Sequence, residues 1–332
     1  MATIGKSYPT LKDVYSQQDG EGKITSAIIE LFIRNNPILE DAIAVECNDG
    51  TSHLTTVRNG LPEVQFRKFY QGVMPSKGDF TQIKDSTSML DDYSVCDKKL
   101  ADMSGNVNQF RLNESESHIQ AMNNKVADTI FYGNKGIDDA AFDGLAVRYN
   151  KLSATKGDIG YQVIDAGGNG SDNTSIWFVT WGDNHTCLLY PKGSKAGIEH
   201  QDKGQITETK ADGSKFEAYQ DWYSWNVGMC IRNYRANCRV ANIDVSNLKG
   251  ATPTDLFEKL ILGWHRVKKH AKGGKTVIYV NDTIETYLQI QASKKNNVYL
   301  TINEVGGKPI LHFMNCPIKN VDAILDTEAA VA

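Results

Sequence analysis

Between positions 108 and 132, Ile119, Met122, Val126 and Ile130 recur three or four residues apart, while Glu114, Glu116, Asn123 and Asp128 take the other face. That spacing predicts one long amphipathic helix with a single buried stripe, closed by Gly133. A shorter helical pattern comes earlier: Ile24, Ala27, Ile28, Leu31 and Phe32 follow Gly22 and stop before Pro37, where a helix should end. Between the two helices the period changes. Residues 53–57 and 64–70 read as one β-rich arm and 79–90 as a second, around a turn region with Gly72, Pro75 and Gly78, which predicts one long hairpin over 52–90. Arms of about 12 residues at about 3.3 Å each reach roughly 40 Å, whereas a compact chain of this size has a radius of gyration of about 20 Å. Such a hairpin is expected to drape over the protein's own surface or to lie on a neighbour.

From position 137 onward the pattern is mostly β with glycine punctuation. Strands are predicted at 161–164, 176–181 and 239–245, and a hairpin at 205–210 and 215–222 around the Asp212-Gly213 turn. Further strands are expected at 276–280, 297–303 and 309–315. Two helices complete the layout, at 254–272 and 283–293. The first has Thr254 or Thr252 near its cap and a basic tail of Arg266, Lys268, Lys269, His270 and Lys272, placed where a helix C-terminus favours cations. The expected class is α+β, with no internal repeat and no dividing linker.

Composition narrows the field. The 332 residues are 40% apolar and 23% charged, which excludes a fully disordered, collagen-like or coiled-coil chain. A net charge of −4 argues against a protein whose affinity comes from neutralising many nucleic-acid phosphates. The N-terminus carries no secretory pattern, and no apolar run approaches the roughly 18 residues of a membrane span. Cys47, Cys96, Cys187, Cys230, Cys238 and Cys316 are scattered without a ligand-like rhythm, and read as the reduced thiols of a protein made in a cytoplasm.

Candidate chemistry mostly fails. Gly273-Gly274-Lys275-Thr276 has the tail of a phosphate loop, but Lys269 stands where its first glycine belongs and a strand follows instead of a helix. Residues 165–170 begin like a calcium loop, yet Ile176 occupies the position of the closing carboxylate. His265 and His270 lie five apart and share no helical face. The adjacent acids Asp91-Asp92 would face opposite ways in a strand. No catalytic, cofactor or metal-binding residue is therefore assigned. Trp222, Tyr223 and Trp225, close to Arg232, Tyr234 and Arg235, fit a base-stacking surface, an interface or an aromatic-packed sheet.

Several stretches carry a resemblance. Residues 56–64 (TVRNGLPEV), running into Phe66-Arg67-Lys68 and Gln71-Gly72-Val73, and residues 165–181 (DAGGNGSDNTSIWFVTW), 190–200 (YPKGSKAGIEH) and 239–244 (RVANID) are similar to segments of tailed-bacteriophage major capsid proteins, particularly those of epsilon15-like and Bordetella-phage-like podoviruses. The closing 316–325 (CPIKNVDAIL) with Thr327-Glu328 resembles a coat-protein C-terminal strand, with Asn315-Cys316 where many relatives carry a glycine. The resemblance implies an α+β, HK97-like phage capsid fold with extended loop, long spine helix, and peripheral and axial domains. It places an N-terminal arm and helix at 1–46, the extended loop at 47–91 and a peripheral domain with the spine helix at 92–136. A mainly axial region would follow at 137–245, and remaining axial elements with C-terminal peripheral strands at 246–332.

The function so implied is that of a major capsid protein assembling through pentamers and hexamers into an icosahedral head around double-stranded DNA, in the host cytoplasm. Its partners would be further copies of itself, a separate scaffolding protein, a portal, with room for a decoration protein, and DNA by non-specific contact, with no membrane. Arg58, Glu63, Arg67 and Lys68 are expected to pair with charges on an adjacent subunit, and Phe66 and Phe69 to anchor it; an ordinary solvated hairpin is the plainer alternative for each. Two other readings are an encapsulin-like nanocompartment shell and, from a different class, a β-rich carbohydrate-binding module or enzyme.

Overall fold

The computed structural model describes residues 8, 9, 34, 36–58, 60–210, 212–250, 253–294, 300–305 and 308–332. The expected helix over Ile24–Phe32 lies outside the described residues. The chain then runs through α1 (Ile38–Asp41), β1 (Ala44–Glu46), β2 (Ser52–Arg58), β3 (Phe80–Asp97) and α2 (Lys98–Met103) into the long α3 (Val107–Tyr132). After α4 (Leu145–Arg148) come β4 (Val163–Asp165), β5 (Asn173–Trp181), β6 (Thr186–Tyr190), β7 (Ile198–Thr209), β8 (Lys215–Ile231) and β9 (Cys238–Asp244). The remainder is α5 (Leu256–Val267), β10 (Lys275–Val280), α6 (Asp282–Lys294), β11 (Leu300–Val305), β12 (Lys308–Phe313) and β13 (Cys316–Asn320).

Helix α3 spans 26 residues, starting where the Asn106 side chain accepts from the Gln109 amide. Its buried residues include Met122, Val126 and Ile130, three of the four stripe positions, with Phe110, Ala127 and Phe131 beside them. Arg111 ties the N-terminal half to the β7–β8 hairpin, donating to Asp221 at 2.9 Å and to Asp202 at 2.6 Å. Gly133 ends the helix for a reason other than the left-handed backbone its position suggests. Its φ is −52°, but a Cβ there would meet the Thr129 side chain at 2.6 Å and collide with the Phe142 carbonyl. Glycine is needed because the following segment crosses close by.

The strands form a 13-stranded sheet ordered β11-β12-β13-β10-β5-β6-β8-β3-β2, with β1 on β6, β7 on β8, and β4 on β9 beside β5. All nine residues of β5 are buried, because helices cover both faces. Period-2 alternation sends Trp177, Val179 and Trp181 towards α3, where they pack with Val126, Ile130 and Phe131. It sends Ile176 and Phe178 the other way, against Leu256, Leu260 and Val267 of α5 and Ile284 and Leu288 of α6. On the α3 side the Trp181 Nε1 donates to the Tyr279 hydroxyl at 2.8 Å, and that hydroxyl donates to buried Asp41 at 3.0 Å.

Several local expectations are adjusted. The arm expected at 64–70 is not a strand, so the ladder of the first hairpin spans seven residues, from Ser52↔Ser86 to Arg58↔Phe80. The prolines Pro62 and Pro75 lack amide donors for a ladder. Asp255, not Thr254 or Thr252, caps α5, accepting from the Phe257 and Glu258 amides. The basic residues 268–272 follow the end of that helix instead of extending it. The β12–β13 turn explains Asn315: Phe313 pairs with Cys316 around Met314 and Asn315, at φ 46° and 73°. Both central residues of this two-residue turn are left-handed, a state that glycine favours and asparagine tolerates.

Candidate inter-subunit surface

Beyond the β2–β3 ladder the chain opens into a tip over 60–79. The backbones of Gly60 and Asp79 close its neck by mutual hydrogen bonds of 3.4 and 3.3 Å. Inside the tip, Ser76 Oγ donates to the Glu63 carbonyl at 2.7 Å and the Lys68 amide donates to Gln71 Oε1 at 3.2 Å. Tyr70 sits at φ 66°, an uncommon backbone state for a bulky residue.

This scaffold turns apolar side chains into solvent. Phe66 and Tyr70 are each 106% exposed, Phe69 96%, Val64 95%, Met74 81% and Leu61 79%. Leaving such side chains in water forgoes roughly 1.5–3 kcal/mol apiece relative to burial, and contiguous exposed apolar surface marks an interaction site. Arg58 lies apart from these, at the end of β2, with its guanidinium carbon 5.0 Å from the centre of the Phe80 ring. Glu63, Arg67 and Lys68 are exposed, and among the described residues none of their side chains forms an ion pair with the chain itself. The six residues expected from the sequence thus fall along one hairpin, five in the tip and Arg58 at its base. Leu61, Val64, Tyr70 and Met74 belong with them; their signal is a run of large apolar residues where a turn is ordinarily polar.

The other sequence features take structural roles. Asp165 Oδ1 accepts from the Gly167 amide and the Asn242 side chain, so the 165–170 turn is closed by the chain's own donors. The glycine pair before Lys275 leads into β10, leaving no helix N-terminus for a phosphate. Asp91 and Asp92 point to opposite faces: Asp91 is exposed, while Asp92 lies 2.6 Å from His118 on α3. The aromatic group divides too. Tyr223 is buried and donates to Ser115 on α3, Trp225 packs on the main core, and Trp222 lies under Lys203. This is an aromatic-packed sheet, not a stacking platform. All six cysteines are free and buried. Among the described residues no group of His, Cys, Asp and Glu could hold a metal ion, and no helix is long and apolar enough to cross a membrane.

A mixed sheet with a long helix packed on one face, and a hairpin projecting an apolar tip, is the α+β arrangement of the HK97-like capsid fold. The family model for major capsid protein GP7 matches residues 19–332, and the chain belongs to that family. It is 39% identical to a chain in the structure of bacteriophage epsilon15, covering 100% of this chain and 99% of that one with a TM-score of 0.78. The bacteriophage JBD30 capsid aligns over 90% of this chain and 92% of its own at 8% identity and a TM-score of 0.48. An encapsulin complex from Synechococcus elongatus aligns over 71% and 97% at 10% identity and a TM-score of 0.44. No curated protein matches the chain. The protein is a non-enzymatic phage coat subunit of the virion capsid that self-assembles into a multimeric shell.

Proposed function

We propose that the subunits join head to tail into pentamers and hexamers of an icosahedral head around double-stranded DNA, and that the 60–79 tip is laid on the adjacent copy. Heterologous contacts close into rings when the rotation permits. The observation that carries this reading is the full exposure of Phe66 and Phe69 at the end of a defined hairpin. Arg58, Arg67, Lys68 and Lys77 outnumber Glu63 and Asp79 there, so the receiving surface is acidic at its rim and apolar at its centre, with Glu63 pairing to a cation of the neighbour.

In this arrangement 1–46 is assigned to an N-terminal arm and helix, most of it outside the described residues, 47–91 to the extended loop and 92–136 to a peripheral domain built on α3. Residues 137–245 are mainly axial, and 246–332 return axial elements and peripheral strands. Assembly in the host cytoplasm uses a separate scaffolding protein and a portal, with room for a decoration protein, and the near-neutral chain meets DNA without sequence reading. Deleting residues 73–78 and imaging the assembly products by electron microscopy tests the loop's role. Loss of closed shells with a folded subunit is expected; normal closed shells would overturn it.

A further inference from the structure

Four of the buried side-chain atoms without hydrogen-bond partners gather where the first hairpin joins the body: His53 Nδ1, Asp85 Oδ2, Arg148 Nε and Arg232 Nε. His53 of β2 stands directly opposite Asp85 of β3, and the two are 7% and 6% exposed. Asp85 is matched by Arg148 of α4, whose Nη2 donates to Oδ1 at 2.7 Å. His53 meets a cation instead. Arg232, just past β8, places Nη2 2.9 Å from His53 Nε2 while its Nη1 holds Asp183 at 3.0 Å. Apart from its ladder to β3, strand β2 reaches β8 and its exit through this bond and through Thr55 Oγ1, 3.6 Å from Cys230 Sγ.

The donor inventory fixes the protonation state. A guanidinium carries only donors, so His53 Nε2 must accept, and the ring is neutral with its proton on Nδ1. A second proton would turn Nε2 into a donor facing a donor, and set two cations within hydrogen-bonding distance. The titratable groups around it are Arg232, Asp85 and Asp183, with Arg148 paired to Asp85 and Cys230 of β8 beside Thr55, while Glu46 contributes its backbone. Burial first, then the Arg232 charge, hold the imidazole below its ordinary 6.5, against Asp85, the Glu46 backbone and Asp183.

We propose that the His53–Arg232 bond is a proton-sensitive latch that fixes the root of the β2–β3 hairpin to the end of β8, closed while His53 is neutral and opened when it is protonated. A histidine depressed in the fold contributes stability that is whole above its unfolded value of about 6.5, and loses it as pH falls from there through the folded value. Acid therefore frees the hairpin's root first, without needing the tip to be engaged by another copy.

Amide hydrogen exchange on the full-length unassembled subunit, at about pH 7.5 and about pH 5.5 and corrected for the intrinsic pH dependence, reads the latch on either side of the imidazole's ordinary range. Amides of Ser52–Arg58 should lose protection in acid, by up to about tenfold per pH unit for a one-proton opening, while those of Lys275–Val280 hold. His53→Gln keeps an acceptor for Arg232 but cannot titrate, and its 52–58 amides should show no selective loss. Equal wild-type protection at both pH values, acid loss shared by all strands, or the same selective loss in His53→Gln would each overturn the latch. The wild-type comparison decides even if the variant fails to fold. Because the subunit is unassembled, failure here is distinct from failure of the loop's role between copies.

Discussion

Arg239 Nη2 donates to Glu328 Oε2 at 2.9 Å, with both side chains only 5% exposed, so strand β9 is locked to the C-terminal tail by an ion pair inside the protein. Arg239 Nε also donates to Ser175 Oγ and its Nη1 to the Tyr149 carbonyl, while Tyr132 at the end of α3 donates to Glu328 Oε1 at 2.5 Å. One carboxylate thus joins α3, β5, β9 and the tail. Removing one member leaves the other charge buried and unpaired, at a cost of about 3–5 kcal/mol. Glu328→Ala should lower the urea stability of the unassembled subunit by that order, and Glu328→Gln, which keeps the shape and one acceptor, by less.

The close crossing after α3 makes a second prediction. Gly144 donates its amide to the Gly133 carbonyl at 2.8 Å, and a Cβ on Gly144 would lie 2.6 Å from the Thr129 carbonyl oxygen. Its φ of −81° suits any residue, so the penalty for Gly144→Ala is steric alone. Overpacking of this kind costs about 1–3 kcal/mol. Thermal unfolding should show a lowered midpoint, whereas Gly157→Ala, with open space around it, should leave it unchanged.

The thiols predict alkaline sensitivity. Burial pushes Cys47 and Cys316 up to about 11 and Cys96 and Cys238 up to about 12, from an ordinary 9.0. A group raised in the fold gives stability that is complete below its unfolded value and is lost as pH rises through the folded one, at up to about 1.4 kcal/mol per pH unit for each thiol. Urea midpoints should therefore fall as pH climbs above 9.0. Buried tyrosines, also raised, act in the same direction. Cys238→Val should shallow the slope, and native Cys47, Cys96, Cys238 and Cys316 should resist a thiol reagent that modifies them after unfolding.

At the loop tip, folding and assembly should separate. Phe66 and Phe69 are fully exposed in the single chain, so replacing both with serine should change subunit stability by no more than about 0.5 kcal/mol per site. The critical concentration for shell formation should nevertheless rise, as read by sedimentation, since apolar anchors dominate an interface.

The two strongest periodicities were legible without coordinates. Met122, Val126 and Ile130 define the buried stripe of α3, and the compact run through Trp177 and Val179 marks β5, whose burial on both faces follows from having no polar alternation. The first hairpin was legible as a projection, but not its inner boundary: residues 64–70 have strand-like composition, while the two flanking prolines remove ladder donors. The cap at Asp255 was displaced by one residue because Thr254 is also a good capping side chain. The tie between Arg239 and Glu328, 89 residues apart, and the meeting of His53 with Arg232, 179 apart, had no local signal at all. Such pairs depend on which strands become neighbours, and that is decided by the whole sheet. For the loop surface, Phe66 and Phe69 were visible by type, whereas Leu61, Val64, Tyr70 and Met74, apolar residues in a region where a turn is ordinarily polar, join them once their exposure is seen.

The most direct test of the account is a cryo-electron microscopy map of the assembled shell at side-chain detail. It should place Phe66 and Phe69 in density against an adjacent subunit, buried at a rim that carries acidic groups near Arg67 and Lys68. A shell in which the 60–79 tip lies free in solvent, or folds back on its own chain with those phenylalanines buried there, would contradict it.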